Sequence, residues 1–174
     1  MSILIIALPR TGSSALGEKL AVDNKLIYEF EPFNPKSGLP YIDAYKNRVI
    51  KTMVFHTPFF IKEDNRLNWL ITISEDFEKV ILLSRKDLVL CTESWSFLLH
   101  NSKKGFKSNL PYLWEKTPNF DEQLEFIKKC DTELRYISQK INIPITFYED
   151  LYDLNDSNRL RKGNRENSTK GKLL

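Results

Sequence analysis

Residues 3–14, ILIIALPRTGSS, decide the fold of this chain. The run Ile3–Leu8 is apolar throughout, which is typical of a parallel strand buried on both faces. Gly12 permits a tight turn, and Ser13–Ala21 is predicted to be a helix. The free N–H groups at the start of such a helix point above the turn, where they favour an anion. The segment therefore predicts a strand, an anion-binding loop and a helix in succession.

Outward from this segment, strands and helices continue to alternate. Further strands are predicted at Lys25–Glu29, Val49–Phe55, Lys79–Ser84 and Pro144–Tyr148. Further helices are predicted at Arg66–Phe77, after an N-cap at Asp87, and over Phe120–Ile141 behind a capping box of Asn119 and Glu122. Such alternation predicts an α/β fold with a parallel sheet of about five strands flanked by helices.

Composition predicts one globular domain, residues 1–158, and a basic C-terminal tail, residues 159–174. The chain has 174 residues, of which 41% are hydrophobic, enough for a single core. The tail holds six basic residues and one acidic residue, a net charge of +5, and the total of +3 leaves −2 for the domain. Such a tail suits a phosphate-rich partner, or it is a solvated terminus.

The cysteines and the hydropathy pattern exclude several classes of protein. Cys91 and Cys130 lie on apolar helical stripes, so we expect buried thiols and a cytoplasmic location. They form no metal-ligand spacing with the two histidines, so no metal is expected. No stretch approaches membrane-spanning length.

The first loop departs from the phosphate-loop pattern GxxxxGK[ST] of nucleotide kinases. Gly12 and Ser14 match, but Ala7 replaces the first glycine and Ser13 replaces the lysine. That lysine reaches the β- and γ-phosphates of ATP, so an ordinary kinase is disfavoured. Arg10 instead brings a guanidinium, whose planar donor fork suits a phosphate.

Two motifs together resemble the sulfotransferase superfamily. The loop Pro9–Ser14 fully matches the form PR[ST]GS[ST] of carbohydrate sulfotransferases. The second motif is an apolar strand followed by Arg85, then Asp87, and then Ser94 nine residues after the arginine, a spacing that resembles the bacterial carbohydrate branch. The resemblance implies a three-layer sandwich like that of the P-loop NTPases. It also implies the sulfuryl donor 3′-phosphoadenosine-5′-phosphosulfate (PAPS), with adenosine 3′,5′-bisphosphate (PAP) as product.

The resemblance also assigns groups of the donor to particular residues. Arg85 and Ser94 would hold the 3′-phosphate; without the motif, a surface ion pair of Arg85 with Asp87 would be expected. Arg161 and Lys162 resemble a basic element that clasps the same phosphate in cytosolic members, and Ile145–Leu151 resembles a structural strand and YEDL segment. The 5′-phosphosulfate would be held by the first loop, through Arg10, Thr11, Gly12, Ser13 and Ser14.

Sulfuryl transfer needs stabilisation of charge and a base for the acceptor proton. Arg10 and the loop amides are candidates for the leaving phosphate, and Lys51 or Ser13 for the sulfuryl oxygens. Lys51 and Thr52 resemble a strand motif of cytosolic members, but Met53 stands where those members have a catalytic histidine. The base must then come from elsewhere. Glu31 is the candidate, because it follows the second predicted strand and its glutamate-proline pair resembles carbohydrate members, and His56, just past the third strand, is the second candidate.

The candidate residues follow different strands. Arg10, Glu31, His56 and Arg85 each come after one predicted strand, and Lys51 lies within the third. Ligands of open parallel sheets bind at the carboxyl ends of the strands, so we expect these residues to converge. The predicted function is a sulfotransferase for a small-molecule or carbohydrate hydroxyl. The alternatives are a non-catalytic PAP-binding protein and a P-loop kinase, whereas no nucleic-acid partner is expected, since no aromatic residues interleave with the basic ones.

Overall fold

The computed structural model describes residues 1–34, 45–102 and 119–151. In these ranges five strands and five α-helices alternate, which confirms the predicted α/β fold. The strands are β1 (Ile3–Ala7), β2 (Ile27–Phe30), β3 (Arg48–Met53), β4 (Lys79–Ser84) and β5 (Ile145–Phe147). The helices are α1 (Ser13–Asn24), α2 (Arg66–Ser74), α3 (Leu88–Ser102), α4 (Phe120–Ile141) and α5 (Tyr148–Leu151), and a 3-10 turn at Glu63–Asn65 precedes α2.

The sheet is parallel throughout, with the strand order β2-β3-β1-β4-β5. From β1 the chain moves towards the β2 edge of the sheet, and from β4 it moves towards the β5 edge. β1 and β4 are neighbours, so the two connections diverge between them and leave a crevice at the carboxyl ends of these strands. Such a topological switch point is where open α/β sheets bind ligands.

The sheet is the middle of three layers. Every residue of Ile3–Leu8 is fully buried, as the unbroken apolar run predicts. Ile3 and Ile5 pack with Leu16 and Ala21 of α1 on one face. On the other face, a core cluster joins the alternate residues of β1 to α2 and α4, and its members include Leu4, Ile6, Leu8, Leu70, Ile73, Leu134 and Ile137.

Three predictions about helix ends are wrong. The first helix, predicted to end at Ala21, continues to Asn24. The helix predicted over Arg66–Phe77 ends at Ser74, because the next N–H groups bond three residues back, as in a tightening last turn, and Phe77 enters the core from there. Asn119 forms no capping box, since it adopts a left-handed φ of 69° and its side chain caps nothing. The N-cap at Asp87 is confirmed by a 2.9 Å hydrogen bond that the Leu90 N–H donates to Oδ1.

Candidate functional site

Three side chains donate hydrogen bonds to the backbone of the loop between β1 and α1. The Leu8 carbonyl accepts a hydrogen bond from Thr11 Oγ1 at 2.8 Å. The Pro9 carbonyl accepts one from Cys91 Sγ at 3.1 Å, and the Arg10 carbonyl accepts one from Arg85 Nη1 at 3.4 Å. Three successive carbonyls are thus engaged by buried side chains, which fixes the orientation of their peptide planes.

The backbone of this loop contains two residues in the left-handed region. Arg10 and Gly12 adopt left-handed φ values of 60° and 70°. Gly12 is the N-cap of α1, and no side chain caps the helix there. Turns with left-handed residues gather N–H groups into a concavity, and a helix N-terminus adds its dipole. The φ of Arg10 is rare for a residue with a side chain, and such backbone strain clusters at functional sites.

Arg10, Arg85 and Ser94, which we call the anion pocket, come together beside this loop. Arg10 Nε donates a hydrogen bond to Ser94 Oγ at 2.9 Å across 84 residues of sequence. Arg85 is only 4% exposed, and its guanidinium carbon lies 4.7 Å from the centre of the Tyr148 ring. The expected surface pair of Arg85 with Asp87 is wrong, because the arginine turns inward towards Glu149, whose Oε1 lies 3.6 Å from Nε.

The hydroxyl groups of the loop differ in their roles. Thr11 is fully buried and its hydroxyl is used on the Leu8 carbonyl, so it shapes the loop. Ser13, the first residue of α1, is buried at 3% exposure, whereas Ser14 is half-buried. Both serines lie in the first turn of the helix, where backbone N–H groups lack intrahelical partners.

A second set of residues, which we call the carboxylate cluster, surrounds the carboxylate of Glu31 near the ends of β2 and β3. Its members are Glu31, Asn34, Lys51 and His56. The Glu31 carboxylate forms an ion pair with Lys51, accepts a hydrogen bond from Asn34 Nδ2 at 3.2 Å and lies 3.7 Å from His56 Nε2. Glu31 itself is left-handed, with a φ of 51°, and is held by backbone bonds to Lys51 and Asn34. The turn thereby directs one carboxylate towards three nitrogen-bearing side chains.

Lys51 links the two sets of residues. Its side chain is only 1% exposed, and its Nζ lies 4.4 Å from the centre of the Phe30 ring. Burial lowers the pKa of Lys51, the Glu31 carboxylate opposes that shift, and the charge of Arg10 adds to it. The ammonium group therefore lies within electrostatic reach of both the carboxylate cluster and the anion pocket.

His56 is placed to orient Glu31. The Met53 N–H donates a hydrogen bond to His56 Nδ1 at 3.3 Å, which assigns the ring proton to Nε2, the nitrogen that faces Glu31. Burial lowers the pKa of His56 to about 4, with Lys51 adding to the shift and Glu31 opposing it. Since its accepting nitrogen is already engaged, the geometry favours Glu31 over His56 as the base.

The convergence expected from the strand ends is present, and the structure adds residues that sequence reasoning missed. Asn34, Cys91, Tyr148 and Glu149 contact the predicted set but match no catalytic or binding motif. Only Asn34 had a local signal, as an amide three residues after a glutamate in a turn. Arg161 and Lys162 lie outside the described residues, as does the boundary expected at residue 158.

The described residues contain neither a metal-binding cluster nor a membrane-spanning helix. In residues 1–34, 45–102 and 119–151, no group of three or more His, Cys, Asp or Glu side chains could hold a metal ion. No helix in the same ranges is long and apolar enough to cross a bilayer. In comparisons with known proteins, the chain matches no family model, no curated protein and no solved structure.

Proposed function

We propose that this chain is a sulfotransferase that takes its sulfuryl group from PAPS and passes it to an acceptor hydroxyl. The observation that carries the proposal is the 2.9 Å hydrogen bond from Arg10 to Ser94, together with the bond from Arg85 to the Arg10 carbonyl. These contacts unite two motifs that the sequence places 84 and 75 residues apart. They bring two guanidinium groups together beside a helix N-terminus, at the switch point of the sheet.

The pocket suits a ligand with phosphate groups at both ends of a nucleoside. The loop N–H groups, Arg10 and the N-terminal turn of α1, with Ser13 and Ser14, would hold the 5′-phosphosulfate. Arg85 and Ser94 would hold the 3′-phosphate. Arg85 has the properties such a role needs, because it is buried and its Nε has no hydrogen-bond partner in the described residues.

The carboxylate cluster would supply the groups for transfer. The acceptor oxygen attacks the sulfur while its proton passes to Glu31, and the sulfur–oxygen bond to the 5′-phosphate breaks, leaving its electron pair on PAP. Lys51 would stabilise the sulfuryl oxygens, and Arg10 the charge on the leaving phosphate. His56 and Asn34 would hold the Glu31 carboxylate in place.

The acceptor and the location are part of the same proposal. A carbohydrate hydroxyl is the acceptor that the form of the first loop favours, and another small-molecule hydroxyl is the alternative. A cytoplasmic location is supported by Cys91 and Cys130, which are both free and buried.

A non-catalytic PAP-binding protein is the second candidate. Met53 favours it, because this residue stands where the strand motif of cytosolic sulfotransferases has its catalytic histidine. The two candidates share the donor site and differ only in the role of Glu31.

Calorimetric titration with PAP, 5′-AMP and ATP tests the donor site. We expect PAP to bind more tightly than 5′-AMP, and Arg85→Ala to weaken PAP binding about 10- to 100-fold, since hydrogen bonds to charged groups contribute roughly 1.5–3 kcal/mol. Lys79→Ala is the matched control, because Lys79 is an exposed cation at the opposite end of the same strand. No binding of PAP, or a preference for ATP with magnesium, would refute the proposal.

A further inference from the structure

The corner between β5 and α5 packs on the guanidinium of Arg85. Tyr148 and Glu149 are the first two residues of α5, and both contact this arginine. We propose that Glu149 is a positioning residue that aims Arg85 at a second phosphate of the ligand, and so determines selectivity for a nucleoside 3′,5′-bisphosphate over a 5′-monophosphate. This inference rests on the proposed function.

Glu149 contacts both the backbone next to Arg85 and the side chain of Arg85. Its Oε2 accepts a 2.9 Å hydrogen bond from the Lys86 N–H, and its Oε1 lies 3.6 Å from Arg85 Nε. The Glu149 side chain is only 12% exposed. One oxygen of the carboxylate is therefore tied to the chain immediately after the arginine, while the other faces the guanidinium.

The other contacts of Arg85 complete its orientation. The Tyr148 ring lies 4.7 Å from the guanidinium carbon, and Nη1 donates to the Arg10 carbonyl at 3.4 Å. A guanidinium has five N–H donors in a fixed fork. The carboxylate of Glu149 lies near Nε without a hydrogen bond, Nη1 is engaged, and the bond to the Arg10 carbonyl turns the guanidinium towards the loop between β1 and α1.

A comparison with Arg66 indicates whether Glu149 positions Arg85 or only neutralises its charge. Arg66 is also buried, and it pairs with two carboxylates, Glu63 and, at 2.7 Å, Glu133. Among the described residues, Arg85 pairs with one carboxylate, that of Glu149, and their 3.6 Å separation exceeds hydrogen-bond length. A buried cation with so loose a partner retains capacity for another anion, whereas the charge of Arg66 is matched by two carboxylates, although its Nε, like that of Arg85, has no hydrogen-bond partner in the described residues.

Glu149→Gln tests the inference, with PAP and 5′-AMP as calorimetric probes. Glutamine can still accept the Lys86 N–H but lacks the charge that holds Arg85. We expect PAP binding to weaken about tenfold and 5′-AMP binding to stay unchanged, so that selectivity falls about tenfold. Asp150→Asn is the matched control, because Asp150 is the next residue and pairs only with the exposed Lys86 among its described contacts.

Three results would overturn the inference. Unchanged or tighter PAP binding by folded Glu149→Gln would show that the carboxylate merely neutralises Arg85. An equal loss for both probes would indicate general damage to the fold. Wild-type protein that does not distinguish PAP from 5′-AMP would refute the proposed function first, and this inference with it.

A second variant covers the case in which Glu149→Gln does not fold. Tyr148→Leu keeps the carboxylate and removes the ring beneath Arg85. Its expected effect is about a threefold loss, confined to PAP, because a cation–π contact contributes roughly 0.5–1 kcal/mol. Thermal unfolding of each variant identifies those that fold, and undiminished PAP selectivity in folded Tyr148→Leu would also overturn the inference.

Discussion

The anion pocket and the carboxylate cluster lie at the same edge of the sheet but balance their charges differently. In the pocket, the described residues place one carboxylate, that of Glu149, beside Arg85, and Arg10 adds a second cation. In the cluster, Lys51 is matched by Glu31, and His56 stays neutral because burial lowers its pKa to about 4. The pocket therefore has positive charge to offer to a ligand, whereas the cluster is neutral by itself.

This difference predicts that the anion pocket binds the ligand and that the carboxylate cluster carries out the transfer. The pocket holds one more cation than carboxylate in the described residues, because Arg85 is paired with Glu149 and Arg10 is a second, exposed cation, so a phosphate can form charge-assisted hydrogen bonds there. A carboxylate held by a cation and an amide is instead fixed in position, which suits a group that must meet an acceptor hydroxyl at one geometry. Changes in the pocket should alter affinity, and changes in the cluster should alter turnover.

The largest effect that tests this separation is expected for Glu31→Gln. Removal of a general base should lower kcat by about 10²- to 10⁴-fold. PAP affinity should change less than twofold. Glu29→Gln is the control, because Glu29 lies two residues earlier and forms its own ion pair with Arg48. Steady-state assays with PAPS and calorimetry with PAP measure the two quantities.

Two results would contradict the separation. If Glu31→Gln keeps full turnover, Glu31 is not the base. If it loses PAP affinity instead, the cluster belongs to the donor site. A wild-type protein that binds PAP and transfers no sulfuryl group would favour the non-catalytic candidate.

The neutral His56 predicts a dependence of stability on pH. Its folded-state pKa of about 4 lies below the usual 6.5, so between these two pH values the unfolded chain binds a proton at His56 and the folded chain does not. Stability from this group is full above pH 6.5 and falls as the pH drops towards 4, by up to about 3 kcal/mol. Chemical denaturation at pH 7.5 and pH 4.5 should show this loss in the wild type and less of it in His56→Gln, and equal losses would contradict the assignment.

A smaller effect is expected for Ser94→Ala in the anion pocket. The variant removes the oxygen that accepts from Arg10 Nε, so Arg10 loses its fixed orientation and PAP should bind about tenfold more weakly. Ser96→Ala is the control on the same helix. Ser96 is buried and its hydroxyl has no hydrogen-bond partner in the described residues, so its removal should leave binding unchanged and slightly raise stability. Equal PAP affinity in the two variants would contradict the role of Ser94.

The residues predicted from the sequence are those whose placement depends on local pattern. The apolar run of β1 and the turn at Gly12 determine where Arg10 lies, and the end of β4 determines where Arg85 lies. Parallel strands bring their carboxyl ends to one edge, so the convergence of these arginines followed from the order of the elements.

The contacts that orient these residues could not be predicted in the same way. Glu149 reaches Arg85 because α5 turns back over the end of β4, and Cys91 reaches Pro9 because α3 packs beside the first loop. Both contacts join residues more than 60 positions apart and depend on how helices pack, which no local pattern encodes. The thiol of Cys91 looked like an ordinary core residue for this reason.

The smallest expected effect concerns that thiol. Burial raises the pKa of Cys91 to about 12, so the sulfur keeps its proton and donates to the Pro9 carbonyl. Cys91→Ala removes this donor and should weaken PAP binding about threefold, since a hydrogen bond contributes about 0.5–1.5 kcal/mol. Cys91→Ser supplies a hydroxyl donor and should restore binding. Cys130→Ala, on the buried face of α4, should lower the melting temperature and leave PAP affinity unchanged. If Cys91→Ser binds as weakly as Cys91→Ala, packing volume rather than the hydrogen bond holds the loop.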